Sequence, residues 1–125
     1  MSHLSRVEIP QLQSLEVSIT PPSSVALRGT IAIADPGLVL GPCIRGLHQA
    51  ALADGLQELS VDVRQLTFVN SSAIRLFVDW SSWVGAAGSS GYRLRFRTDR
   101  RITWQRTSFA VLQSLGGKAI AVDSE

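Results

Sequence analysis

The order of apolar patterns along the chain predicts a small α/β domain. We expect a mixed sheet of four or five strands, opened by an antiparallel hairpin and continued by parallel strands, with helices mainly on one face. Three observations carry this expectation. Strand-like and helix-like stretches follow one another as β-β-α-β-α-β-α-β, and strands separated by helices pair in parallel through crossovers. Leu59, Val61 and Val63 alternate with Ser60, Asp62 and Arg64, and Tyr92, Leu94 and Phe96 alternate with Arg93, Arg95 and Arg97. Strands covered on both faces would be continuously apolar, so one sheet face should meet water. Finally, 125 residues that are 45% hydrophobic suit one domain with a sizeable core.

The elements follow in order. Residues 1–13 have weak periodicity and read as a frayed lead-in or, through Val7 and Ile9, a short edge strand, ahead of a domain spanning 14–123. Leu15, Val17 and Ile19 alternate with polar residues and predict a first strand. Pro21-Pro22-Ser23-Ser24 is a turn, and Val25, Leu27, Ile31 and Ile33 predict a second strand. Gly29 inside that strand marks a bulge or a close approach. Asp35-Pro36-Gly37 and Gly41-Pro42 break the pattern, so a helix is expected from Pro42, whose fixed φ suits a first helical position. It should stop at Gly55.

The central stretch is Val61 to Trp80. A strand reaches Val69, Asn70-Ser71-Ser72 interrupts it, and a helix follows to about Val84. Asn is among the best N-cap residues, because its side-chain oxygen accepts from a free N–H of the first turn. Ala73, Phe77, Trp80 and Val84 form one apolar row, flanked by Ile74 and Val78 and by Leu76 and Trp83. Ser71, Arg75, Asp79 and Ser82 form the polar stripe. Ser71 should therefore face water at the positive end of the helix dipole, and Ser72, beside Leu76 and Trp83, should be more enclosed. After Gly85–Gly91 come the Arg-rich strand and a helix from Arg100 or Thr103 to Leu115. Its expected inward face is Phe109, Leu112 and Leu115, with Val111 beside them. A last strand spans Ala119–Val122, followed by a polar tail.

Strand, loop and apolar helix in LSVDVRQLTFVNSSAIRLFVDW resemble the central unit of the STAS family, typified by bacterial anti-sigma factor antagonists. Val25-Ala26-Leu27-Arg28-Gly29-Thr30-Ile31 is similar to that family's second strand, and the likeness runs from about Leu15 to Val122. Here Asn70-Ser71-Ser72-Ala73 stands where the family has Asp-Ser-Ser-Gly. The resemblance implies a regulatory protein-interaction module, not an enzyme. By position it implies Ser71 as phosphoacceptor and an anti-sigma-type serine kinase as partner, in a bacterial cytoplasm. Asn70, Ser72, Arg75 and Asp79 are the accompanying candidates for partner contact. The alternative is a STAS-like scaffold, or a lipid- or anion-binding module in a signalling or transport complex, without a phosphoswitch.

Other classes find little support. The single cysteine, Cys43, lies among apolar residues and reads as a small core residue. No run approaches the ~20 apolar residues of a membrane span. His48 has no ligand-spaced partner, so neither metal nor cofactor is expected. Catalysis would need Ser71 and His48 brought together with an orienting acid, and no such acid stands out. Net charge is +2, yet Arg93, Arg95, Arg97, Arg100, Arg101 and Arg106 cluster with Asp99 the only acid among them. Arg93, Arg95 and Arg97 are the candidates for anion contact. Their aromatic neighbours Tyr92 and Phe96 face inward, which argues against nucleic acid.

Overall fold

The computed structural model describes residues 2–125; Met1 lies outside the described residues. A five-stranded sheet, β1 (Leu15–Thr20), β2 (Ser24–Ile31), β3 (Glu58–Val69), β4 (Arg93–Thr98) and β5 (Ile120–Ser124), is ordered by sequence. β1 pairs antiparallel with β2, with Leu15 opposite Gly29 and Thr20 opposite Ser24, and every later pairing is parallel. The three crossovers run through α1 (Pro36–Ala53), α2 (Ser71–Ala87) and α3 (Thr103–Gly116). Each moves one strand along in the same direction. Right-handed crossovers in one direction put all helices on one face, and β3 and β4 accordingly alternate buried and partly exposed residues.

The core lies between that face and the helices. Phe77 and Trp80 from α2, Phe96 from β4 and Phe109 from α3 meet at its centre, with the Phe96 and Phe109 rings 4.6 Å apart and Trp80 edge-on to Phe96. Such tilted and edge-on pairs add about 0.5–1.5 kcal/mol to their area burial. The row Ala73, Phe77, Trp80 and Val84 is wholly buried, as its spacing predicts. Cys43 is buried, and burial pushes its thiol pKa up.

Gly29 has φ +109, stands where the β2–β3 register shifts, and approaches Ser14 so closely that a Cβ would overlap its carbonyl. β3 itself runs past its neighbour: pairing with β4 ends at Asp62 opposite Arg97, while pairing with β2 continues to Val69. The overhang is closed by side chains. Gln105, fully buried, donates to the carbonyls of Val63 (2.6 Å) and Leu66 (3.0 Å) and accepts from the Asp99 N–H, and Trp104 donates to Leu66.

Several expectations are corrected. α1 begins at Pro36, not Pro42; Pro36 takes the first position and Pro42 sits inside the helix. Proline there removes one hydrogen bond to the carbonyl four residues back. That residue is Leu38, which is 74% exposed, so solvent has access to the freed group. β2 ends at Ile31 rather than Ile33, and β5 extends to Ser124, through residues expected as tail. On α3 the inward row is Gln105, Phe109, Leu112 and Gly116, whereas Val111 and Leu115 are 55% and 52% exposed. Gly116 replaces a side chain because a Cβ there would overlap the side chain of Ile120.

The lead-in is neither frayed nor a strand. Leu4–Arg6 form a 3₁₀ turn, Leu4 is fully buried, and Val7 and Ile9 pack against the core. Asp54, just past α1, holds this turn: its carboxylate accepts from the N–H groups of His3 (2.7 Å) and Leu4 (3.0 Å) and from the Ser2 hydroxyl, and meets the His3 ring at 2.8 Å.

Two predictions follow from this packing. Gly116→Ala should destabilise the domain by about 1–3 kcal/mol, the usual cost of overpacking, read as a lower urea midpoint with unchanged slope. The second concerns pH. The bond from the His3 N–H, with those from Leu4 and Ser2, depresses the Asp54 pKa below its ordinary value. Its contribution is thus complete above the unfolded carboxylate range of about pH 4 and is lost as pH falls through the depressed folded value. Exchange protection of the Leu4 amide should persist through pH 5 and fall in stronger acid; Asp54→Asn should weaken it at neutral pH.

Candidate functional site

Parallel strands with helices on one face bring the C-terminal strand ends and the helix N-termini to one end of the molecule. β2, β3 and β4 feed α1, α2 and α3 there. Asn70 is the hinge-pin. Its side-chain oxygen accepts from Ala73 N–H at 2.9 Å, capping α2, while its Nδ2 donates to the Ile33 carbonyl at 2.9 Å. Its backbone N–H bonds the Ile31 carbonyl, also at 2.9 Å. One residue therefore joins the end of β3, the segment after β2 and the start of α2. An aspartate would cap equally well, but an ionised carboxylate has no proton to give Ile33.

Ser71 opens α2 and is exposed, as the helical spacing predicts. Ser72 is exposed too, against expectation. It has no preceding turn to cover it, and Leu76 and Trp83 on its flank are only half-buried. Arg75 and Ser82 are exposed and Asp79 half-buried on the same stripe as Ser71, so the four polar positions keep the expected row. Two exposed apolar side chains share this end: Leu38 in the first turn of α1, and Phe68, 51% exposed, which reads in the sequence as part of the apolar patch with Leu66 and Val69 at the end of β3. Neither alternation nor helical spacing distinguishes them from core residues.

The arginines of the sheet face are engaged. Arg95 contacts Glu58 (2.9 Å) and Asp123 (2.8 Å), Arg97 contacts Glu125 (3.1 Å), and Arg64 bridges Asp62 (2.8 Å) and Glu125 (3.3 Å). Arg93 is exposed at the start of β4. Asp62 has its pKa lowered chiefly by the hydrogen bond from the Arg64 side chain. On the connection after β4, the side chain and N–H of Arg101 hold Asp99 down to about 2.

The structure does not bring His48 to Ser71. His48 Nδ1 lies 2.9 Å from the Tyr92 hydroxyl, which also accepts from Trp80 Nε1 at 2.9 Å. Tyr92 leads into β4 at the end of the sheet opposite Ser71. Burial lowers the His48 pKa, which favours the neutral ring. Among the described residues no group of three His, Cys, Asp or Glu side chains could hold a metal, and no helix is long and apolar enough to cross a membrane.

With this geometry in view, comparison with known proteins is informative for the fold. No family model matches the chain, and no curated protein matches it. Two solved structures do. One is SiaC of Pseudomonas aeruginosa, at 21% identity and a TM-score of 0.70, covering 94% of this chain and 96% of that one. The other is a chain from the crystal structure of the P. aeruginosa diguanylate cyclase SiaD in complex with its activator SiaC, at 21% identity and a TM-score of 0.70, covering 94% and 98%. The likeness spans nearly the whole of each chain and establishes a shared small α/β fold.

The roles given to Asn70 can be separated by substitution. Asn70→Asp should cost about 1 kcal/mol, by leaving the Ile33 carbonyl without its donor. Asn70→Ala should cost about 2 kcal/mol, because the cap is lost as well. Denaturant melts of the three proteins check both values; equal stability of Asn70→Asp and the parent chain would show that the bond to Ile33 contributes nothing.

Proposed function

We propose that this protein is a non-enzymatic, cytoplasmic regulator that binds a protein partner through the Ser71 end of the domain and is released by phosphorylation of Ser71. The observation that carries the reading is the exposed Ser71 hydroxyl at the opening of α2, at the same end of the domain as the exposed Leu38 and Phe68. Phosphate there adds about −1.5 to −2 charges at a helix N-terminus. The helix itself accommodates that charge, whereas a docked surface would have to desolvate it. Phosphorylation therefore dissociates a partner rather than unfolding the domain. The Ser71 modifying enzyme is an anti-sigma-type serine kinase, by the resemblance of Asn70-Ser71-Ser72-Ala73 to the STAS motif. SiaC, a protein of the same fold, is an activator of the diguanylate cyclase SiaD, which supports regulation by partner binding. Asn70 serves the interface by fixing the loop, while Ser72, Arg75 and Asp79 contact the partner.

A second reading keeps the docking surface and drops the phosphate. It is favoured by Asn70 and Ala73, which stand where the STAS motif has Asp and Gly. Intact mass and peptide mapping of the chain from its native cells separate the two. The switch predicts a fraction carrying one phosphate at Ser71, and co-purifying partner lost in Ser71→Asp but kept in Ser71→Ala. Equal partner recovery with both variants would exclude the switch.

A further inference from the structure

Arg45 on α1, and Arg93 and Lys118 at the end opposite Ser71, are exposed and make no ion pair among the described residues; the arginines of the sheet face and of the Ser71 end form two further sets. Arg64, Arg95 and Arg97 on the sheet face all sit against carboxylates. Arg75, Arg100 and Arg106 are exposed and make no ion pair among the described residues. All three stand at the Ser71 end: Arg75 in the second turn of α2, Arg100 between β4 and α3, Arg106 in the first turn of α3. The acids there are Asp35, which precedes α1, Asp99, which Arg101 meets at 2.7 Å and whose charge Arg100 also feels, and Glu125, whose carboxylate meets Arg64 and Arg97 while its carbonyl accepts from the Arg100 N–H; Asp79 follows one turn beyond Arg75.

Within the isolated domain the placement of Arg106 is unfavourable. A cation in the first turn, as Arg106 is on α3, opposes the dipole by about 0.3–1 kcal/mol, an effect that has faded by Arg75 in the second turn of α2. None of α1, α2 and α3 carries an acid in its first turn to offset it, and none has a basic residue in its last turn, where a cation would stabilise. An anionic surface laid over this end reverses the sign of that term. Leu38 and Phe68, exposed at the same end, supply the apolar part of an interface. Three arginines are few for a polyphosphate backbone, where specific binders neutralise roughly 6–10 phosphates. Arginine with exposed apolar side chains, and no lysine at this end, matches the composition of protein interfaces, in which Arg and aromatics are enriched and Lys depleted.

We infer that the surface docked here is an acidic protein surface, its carboxylates on Arg75, Arg100 and Arg106 and its apolar side chains against Leu38 and Phe68. The inference rests on the docking reading above and adds the chemistry of what docks. It also gives the switch a mechanism. Ser71 lies one turn before Arg75 on the same stripe, so a phosphate on Ser71 pairs with Arg75 and withdraws it from the partner.

The test uses defined probes: a synthetic amphipathic helix with Leu on one face and Glu on the other, the same peptide with Lys for Glu, phosphatidylserine vesicles, and duplex DNA. Backbone amide shifts locate the contact on the full chain, and titrations give affinity. The Leu/Glu peptide should shift amides around Leu38, Phe68, Ser71–Arg75 and Arg100–Arg106. The double variant Arg75→Glu/Arg106→Glu should weaken it on the order of tenfold, whereas Arg93→Glu should leave it unchanged. Tighter binding of the Lys peptide, vesicles or DNA at this end, mapping of the Leu/Glu peptide to the sheet face, or no binding of that peptide would each overturn the inference. The two readings fail separately. Weakening by the arginine variants without weakening by Ser71→Asp removes the switch and keeps the acidic partner; the reverse result removes the acidic partner.

Discussion

Three hydrogen bonds of one residue hold the Ser71 end of this domain together. Asn70 receives the Ala73 N–H, gives its amide proton to Ile33 and its backbone proton to Ile31. A parallel sheet leaves its strand ends to be joined by loops, and loops ordinarily carry unsatisfied backbone groups into solvent. Here the amide side chain closes two of those groups at once, which an ionised aspartate, an acceptor only, cannot do. The departure from the acidic residue of the STAS-like motif is thus a change of bonding pattern, from a capping acceptor to an acceptor and donor. Ser71 inherits a fixed orientation from it.

The charges are arranged with a similar division of labour. Exposed ion pairs contribute little each, about 0–1 kcal/mol, so the lattice of Arg64, Arg95 and Arg97 with Asp62, Glu58, Asp123 and Glu125 is not a major source of stability. Its effect is to neutralise the uncovered sheet face, which would otherwise present a row of like charges from β4. At the Ser71 end Arg75, Arg100 and Arg106 stay unpaired among the described residues, while on the sheet face carboxylates meet Arg64, Arg95 and Arg97. The C-terminal residues make this possible. Asp123 and Glu125 read as tail in the sequence, yet β5 and the Thr98–Glu125 backbone bond carry them alongside β4.

The strands were legible because a half-exposed sheet writes its two faces as alternation; β1, β3 and β4 follow that signal, and so does the buried row of α2. What the pattern could not carry was decided by contacts distant in sequence. Pro42 looks like a helix start because proline suits the first turn, but the exposed Leu38 carbonyl tolerates the missing bond and the helix begins at Pro36. Leu115 looks like core at its spacing, yet the inward position belongs to Gly116, since Ile120 occupies the space. Gln105 carries no apolar mark and stands outside the inward face expected for α3, yet it is buried and its amide donates to the Val63 and Leu66 carbonyls of the β3 overhang. At the site, Ser71, Arg75 and Asp79 were legible from helical spacing, whereas Leu38 and Phe68 were not, since exposure of an apolar residue leaves no mark in a periodic pattern.

That overhang bears directly on recognition. Beyond Asp62, β3 has a partner strand on one side only, and an open strand edge is both mobile and prone to pair with other chains. Gln105 and Trp104 occupy the carbonyls of Val63 and Leu66 and so fasten the first turn of α3 to the strand that launches α2. The arrangement links Arg106, Ser71, Arg75 and Phe68 to one framework of buried hydrogen bonds rather than to independent loops. Binding loses affinity to every segment that must be ordered in the complex. In the proposed reading, a surface tied down before it meets its partner avoids that loss, and a charge added at Ser71 would act on the interface itself and not on the loop's conformation.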